Sequence, residues 1–274
     1  MARSTPRESG ATLNRCCLWP GVGQRVQCVH MSRQRADQLL VDRGQAGTRA
    51  EAQRLIMAGR VLLGADSPVR KPGQMLAVGT ELQVTAGDDY ASRGAYKLLA
   101  ALDAFAPALA DTVALDVGAS AGGFTDLLLR RGAGRVYAVD VGYGQLHYRL
   151  RQDPRVVCLE KVNARELPAA LIPEPIDVLT ADVSFISLTK ILPACKPFLR
   201  PGAWVFVLVK PQFEAERNEI SRGGVVRAEA VRQRCVEKIV TFGVAELGWQ
   251  RVGVVPSPIT GPKGNQEYMV AFRA

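Results

Sequence analysis

The sequence predicts an α/β protein: a doubly wound, seven-stranded mixed sheet whose last strand runs antiparallel, preceded by a small α+β module. An apolar run from Val113 to Val117 is followed by Gly118, Gly122 and Gly123, then by Phe124, Leu127 and Leu128 at helical spacing, which reads as strand, glycine loop and helix. Six further apolar runs recur with mostly helical segments between them: Val136 to Asp140, Val156 to Leu159, Ile176 to Asp182, Trp204 to Lys210, Arg251 to Val255 and Glu267 to Phe272. The last two are joined by Pro256 to Gln266, which carries no helical pattern, so the final strand is expected to pair antiparallel with its predecessor.

A chain of 274 residues accommodates one α/β domain and a smaller module. No apolar run approaches the roughly 18 residues needed to cross a bilayer, so a soluble protein without a membrane partner is expected. The net charge of +9 favours a polyanionic partner. Six cysteines, at positions 16, 17, 28, 158, 195 and 235, form no C-x-x-C pair. They read as reduced thiols of a cytoplasmic protein, and no metal is expected.

Residues 1–30 mix Pro, Gly, Arg and Ser without a period and lack the apolar core of a secretory signal. They are expected to be a disordered extension, with Met31, which opens the first periodic segment, as the true start. Residues 31–86 form the small module. From Arg33 to Arg43, Ala36, Leu39 and Leu40 share one helical face, and Gly44 is a suitable stop. Thr48 heads the string T-R-A-E, a capping box in which Thr48 caps the Glu51 amide and Glu51 reaches back to the Thr48 amide. Ala52, Leu55 and Ile56 form the buried stripe of this second helix and Gly59 ends it; Val61 to Leu63 and Glu81 to Val84 read as short strands. Residues 87–91 are a polar linker. Residues 92–274 are the second domain, opening with a helix from Ser92 towards Phe105.

The string R-A-D-Q-L-L-V-D-R-G through T-R-A-E-A-Q-R-L-I-M-A-G-R-V-L-L-G resembles the αL RNA-binding module of small-subunit ribosomal protein four and of pseudouridine synthases. Eight basic residues stand against four acidic ones between Arg33 and Lys71. The resemblance implies that Arg35, Arg43, Arg49, Arg54 and Arg60 face RNA phosphates.

In the second domain, the glycine loop lets a ligand approach bare backbone, beside the free amides of the following helix. Its spacing, G-x-x-x-G-G, departs from the G-x-G-x-x-G fingerprint that seats a dinucleotide pyrophosphate, which disfavours NAD. Asp140, at the tip of the next strand, is suited to both hydroxyls of a ribose. Together these features resemble the S-adenosylmethionine pocket of class I methyltransferases. That resemblance implies a cofactor site made by Asp116, Gly118, Ser120, Gly122, Gly123, Phe124, Asp140, Asn163 and Asp182.

In an open parallel sheet, ligands bind outside the carboxyl ends of the strands. Asp182 ends the fourth strand and Lys210 the fifth, Glu267 opens the antiparallel seventh at the same edge, and Lys97 reaches the cleft from the helix before the first strand. Two lysines and two carboxylates thus surround one pocket, and their formal charges cancel. A structural ion network would account for the charges but not for their order and context. The series Lys97, Asp182, Lys210, Glu267 resembles the K-D-K-E tetrad of FtsJ-type ribose methyltransferases. The strings S-R-G-A-Y-K-L, L-D-V-G-A-S-A-G-G-F-T-D, A-D-V-S-F-I-S-L, V-K-P-Q-F-E and G-P-K-G-N-Q-E-Y match the TlyA family within that group, and the resemblance covers residues 33 to 274.

It implies S-adenosylmethionine-dependent methylation of a ribose 2′-hydroxyl, of cytidine, in ribosomal RNA, with ribosomal RNA or ribosomal subunits as partner and no obligate protein partner. In this reading Lys210 activates or orients the hydroxyl, Lys97 and Glu267 position it, and Asp182 holds Lys210 and shields the methyl centre. Base amino methylation would call for a D/N-P-P-Y/F string where the chain has Asp182-Val-Ser-Phe185, and cytosine carbon methylation for a cysteine nucleophile, whereas Cys195 falls in a predicted helix. Two other readings compete. One is a non-catalytic RNA-binding factor of ribosome assembly, which the intact tetrad opposes; the other is a haemolysin, a label borne by TlyA relatives, for which the sequence offers no amphipathic or transmembrane element.

Overall fold

The structure is a computed structural model that describes residues 32–57, 59–64, 67–85, 90–261 and 263–274. The expectations for residues 1–30 and for Met31 as a start lie outside the described residues, as does most of the 87–91 linker.

The small module consists of β1 (Arg33–Arg35), α1 (Ala36–Asp42), α2 (Arg49–Met57), β2 (Val61–Leu63), β3 (Ser67–Pro68), β4 (Met75–Ala77) and β5 (Leu82–Val84). The two helices bury Ala36, Leu39, Leu40, Ala52 and Ile56 against Val61 and Leu82 in one core. Two expectations need correction. Residues Arg33–Arg35 are a strand, not the first turn of a helix, because they pair antiparallel with β4, and the Ala36 amide donates to the Gln74 carbonyl at 2.9 Å. The capping box is half formed: the Glu51 amide donates to Thr48 Oγ1 at 3.1 Å, but Glu51 Oε2 accepts from the Gly47 amide at 2.8 Å in place of that of Thr48.

The second unit begins with α3 (Ala95–Phe105), three residues later than the sequence suggests, since Ser92–Gly94 form a turn before it. It continues through β6 (Val113–Val117), α4 (Gly123–Arg130), β7 (Arg135–Asp140), α5 (Tyr148–Arg151), β8 (Val156–Glu160), β9 (Ile176–Ala181), α6 (Leu192–Cys195), β10 (Leu199–Val209), α7 (Pro211–Glu214), α8 (Glu229–Ala245), β11 (Gln250–Pro256) and β12 (Tyr268–Arg273). The sheet has the order β11-β12-β10-β9-β6-β7-β8, with β12 antiparallel to both β10 and β11 and the other pairs parallel. Its central strands are covered on both faces, which is why they read as apolar runs and not as alternations. Leu115, Leu179, Val205 and Phe272 pack in one buried cluster, and Ala114, Val178, Phe206 and Met269 in the other. Full burial of a large apolar side chain such as Phe206 or Phe272 stabilises by roughly 1.5–3 kcal/mol. Because β12 runs against the rest, its first residue, Tyr268, pairs with Val209 at the carboxyl end of β10, whose other neighbour is β9. This places Asp182, Lys210 and Glu267, each one residue beyond a strand terminus, on one edge of the sheet.

Candidate active site

The glycine loop is shaped first by its own chain. Gly118 has φ +82°, and a Cβ there would stand 2.4 Å from the Asp182 carbonyl oxygen. At Gly123 a Cβ would meet Ser92 Oγ at 2.3 Å and the Ala95 amide at 2.9 Å. These glycines therefore let the ends of β6 and β9 and the start of α3 close together, which draws the helix bearing Lys97 towards the strand end bearing Asp182. This packing role stands beside the expected one of letting a ligand approach bare backbone.

The four tetrad residues are brought together. Lys97 Nζ donates to Glu267 Oε2 at 2.6 Å and lies 3.9 Å from Asp182 Oδ2; Lys210 Nζ lies 2.5 Å from Asp182 Oδ1 and donates to Ser184 Oγ at 2.9 Å. Asp182 is the link between the two lysines. Lys97 and Glu267 are buried, whereas Asp182 and Lys210 are partly open. Glu267 Oε1 has no hydrogen-bond partner among the described residues and lies against Gly261, where a Cβ would stand 2.4 Å away.

On the other side of the loop, Asp140 Oδ2 accepts from the Ser120 amide at 2.8 Å and Oδ1 from the Gly142 amide at 2.7 Å. Two amides thus fix the carboxylate, and each oxygen keeps a lone pair for a ribose hydroxyl. Asn163 follows β8 and its Oδ1 caps the Arg165 amide at 3.1 Å, leaving its NH₂ group to donate.

Two expected cofactor contacts are not at the surface of the cleft. Phe124 is buried in the core beside Leu127 and Leu128, because it opens the apolar face of α4. Asp116 is also buried, with Thr125 Oγ1 donating to one oxygen at 2.7 Å and Thr180 Oγ1 to the other at 2.9 Å, so it braces the loop from below. Burial raises its pKa to about 6, against the two hydroxyls, which lower it. An acid whose pKa is raised by folding contributes most stability below its ordinary range near 3.8 and loses that contribution as pH rises through about 6. Asp116→Asn should therefore flatten the pH dependence of stability between those limits, as read from urea midpoints across the range; an unchanged slope would contradict the assignment.

The RNA-facing arginines divide. Arg35 and Arg49 both donate to buried Asp37, at 2.8 and 3.0 Å, and that carboxyl is held below its usual range chiefly by Arg35. Arg43 binds the Val78 and Thr80 carbonyls and Arg60 that of Thr85, so these two cross-link the module before they can meet a phosphate. Arg54 is exposed on α2.

Sequence reasoning missed the aromatic rim. Phe185 is 91 % exposed at φ +64°, three residues past Asp182, and its ring stands 5.2 Å from that of Phe213. A bulky residue in the left-handed region is a strained outlier of the kind that gathers at functional sites. Tyr143 and Tyr148, on the segment that follows Asp140, are 72 % and 73 % exposed. The available signal was the unexplained Phe in A-D-V-S-F. Beneath it, buried Glu214 accepts from Ser187 Oγ at 2.6 Å, the Leu188 amide at 2.8 Å and Lys238 Nζ at 2.9 Å, tying the loops that carry Phe185 and Phe213. Cys195 is buried and its thiol is pushed up to about 12, which removes it as a nucleophile.

Residues 90–274 match the model of the FtsJ-like methyltransferases, and residues 34–82 that of the S4 domain. The chain belongs to the FtsJ-like methyltransferase family. Within this family it is 47% identical to the 16S/23S rRNA (cytidine-2′-O)-methyltransferase TlyA of Mycobacterium tuberculosis, over 88% of this chain and 90% of that one. It is 38% identical to Hemolysin A of Brachyspira hyodysenteriae, over 87% of this chain and 99% of that one. A solved structure described as a hemolysin of Streptococcus thermophilus superposes with a TM-score of 0.69 at 41% identity, covering 89% of each chain. Among the described residues no helix is long and apolar enough to cross a membrane.

Proposed function

We propose that this methyltransferase acts on the 2′-hydroxyl of cytidine in ribosomal RNA, with S-adenosylmethionine as methyl donor. The Lys97–Asp182–Lys210–Glu267 cluster at the carboxyl edge carries the reading, because it offers a hydroxyl both a proton acceptor and fixed donors. The cleft fits the cofactor: Asp140 is pre-oriented for a ribose and Asn163 has a free amide donor for a purine edge. Gly118, Ser120, Gly122 and Asp182 complete the proposed cofactor site. When bound, the cofactor supplies a methyl group on a sulfonium, which leaves as a neutral thioether after in-line attack.

The chain's residues prepare the other partner. Lys210, acting as the neutral amine, orients the hydroxyl and takes up its proton as the new C–O bond forms and the methyl–sulfur bond breaks; general base action of this kind contributes ~10²–10⁴-fold. Asp182 fixes the Lys210 amine and bridges it to Lys97. Lys97 and Glu267 form the buried back wall that holds the ribose in register. The S4 domain, with Arg35, Arg49 and Arg54, supplies phosphate contacts. Phe185 and Phe213 offer a face on which an unpaired base stacks, and such stacking is worth about 1–3 kcal/mol per base.

Phe185→Ala should leave thermal stability unchanged and lower kcat/KM for ribosomal RNA by roughly 5- to 150-fold, the same energy expressed as a rate. The function itself is tested by transfer of labelled methyl from S-adenosylmethionine to ribosomal RNA and to 30S and 50S subunits. Label in the RNA supports the reading, and label confined to protein or small molecules overturns it.

A further inference from the structure

Beyond the tetrad, on the same edge of the sheet, lies a basin of about 1010 Å³ between the segment Val225 to Gln233 and the loop from Pro256 to Tyr268. Its position follows from the strand order. The cofactor loop sits over β6 and β7 and the tetrad over β9, β10 and β12, so the basin, over β12 and β11, is the next station outward. Gln266 and Tyr268, the neighbours of Glu267, both line it.

The basin is built from tied elements. Asn265, almost fully buried, accepts from the Val226 amide at 2.9 Å and donates to the Gly224 carbonyl at 2.8 Å, joining its two walls. Gln266 Nε2 donates to the Ser257 carbonyl at 2.9 Å and the Glu267 carbonyl at 3.0 Å, so the outer wall and the backbone of Glu267 share one support. Of its charged residues, Glu229 and Arg232 neutralise each other through a 2.9 Å Nε contact. Arg227 and Lys263 are exposed and have no ion-pair partner among the described residues. Lys263 Nζ lies 3.3 Å from where a Gly224 Cβ would stand, so the bare glycine lets the ammonium lie across the inner wall.

We propose that this basin seats the nucleotide next to the acceptor in single-stranded RNA, with Arg227 and Lys263 on its phosphate. The surplus of two positive charges suits a phosphodiester, and the volume leaves ample room for a nucleotide. A base has no stacking face there, since Tyr268 is buried, so the contact reads backbone and not sequence. The strand carrying the acceptor therefore leaves the tetrad across β12. This inference rests on the proposed function and specifies how its substrate lies.

The test is the double charge reversal R227E/K263E in the full chain, with deproteinised ribosomal RNA and intact subunits as probes. Both side chains are exposed, so folding and S-adenosylmethionine affinity should match wild type. The expected result is a fall of at least tenfold in kcat/KM for RNA, with a salt dependence of RNA binding shallower by about one unit or more in log–log slope, for two lost contacts to a single strand. R227K/K263R should restore both. Unchanged kcat/KM and slope in the reversal variant, beside an active wild type, would overturn the basin alone. A wild type that methylates no RNA would overturn the functional reading beneath it.

Discussion

Lys210→Ala should lose methyl transfer by ~10²–10⁴-fold while binding S-adenosylmethionine with near wild-type affinity. The lysine lies 2.5 Å from Asp182 Oδ1 and donates to Ser184 Oγ, both outside the glycine loop. Its removal takes away the group proposed to hold and deprotonate the hydroxyl and leaves intact the Asp140 carboxylate proposed to bind the cofactor's ribose. Asp140→Ala should show the opposite pattern, weakening cofactor binding first, because its carboxylate also fastens the Ser120 amide and so the loop itself. Calorimetric titration of cofactor into each variant, paired with single-turnover rates on ribosomal RNA, separates the two. Lost binding in Lys210→Ala with retained binding in Asp140→Ala would reverse the assignment of acceptor and donor sides.

The second large effect concerns site choice. Residues 90–274 alone should fold and bind S-adenosylmethionine yet methylate ribosomal RNA very poorly. Folding is expected because the cores are separate: the small module's cluster runs from Ala36 to Leu82, while the two clusters around the sheet draw on residues from Tyr90 onward. The cut belongs before Tyr90, since Arg130 lies over the Tyr90 ring at 4.7 Å and the Ala91 amide donates to Asp126 at 2.8 Å. Loss of activity is expected because every nucleotide of RNA carries the same hydroxyl, so the tetrad cannot select one. Selection needs contacts that fix register and recognise shape, and the S4 domain carries the arginines proposed to meet phosphates, two of them held by Asp37. The full chain's RNA affinity should accordingly fall steeply with salt. An isolated 90–274 fragment that modifies the same site as efficiently as the full chain would sink this division of labour.

The sheet was legible because strands buried on both faces must be written as apolar runs, and Val113–Val117 and Val136–Asp140 could hardly be anything else. The order of charges at strand ends was legible for the same reason: once the strands were placed, topology put Asp182, Lys210 and Glu267 on one edge. What stayed hidden depends on partners distant in the chain. Arg33–Arg35 continue a helical pattern locally and become a strand only because Met75–Ala77 pair with them. The glycine loop advertised a ligand, yet Gly118 and Gly123 are fixed by the Asp182 carbonyl and the start of α3, contacts that no local spacing encodes. Phe124 was read with the loop it follows, whereas the helix it opens turns it into the core. Phe185 gave no periodic signal because it stands outside the core, at a backbone angle that the sequence does not announce.

The position of the methyl group decides the account most directly. Ribosomal RNA methylated by the full chain, digested to nucleosides and fragments and analysed by mass spectrometry, should carry the added mass on the ribose of a cytidine. The linkage at that nucleotide should resist alkaline cleavage, since a 2′-O-methyl group cannot attack the neighbouring phosphate. A methyl group on a base, with the ribose unmodified and the linkage cleaved by alkali, would contradict it.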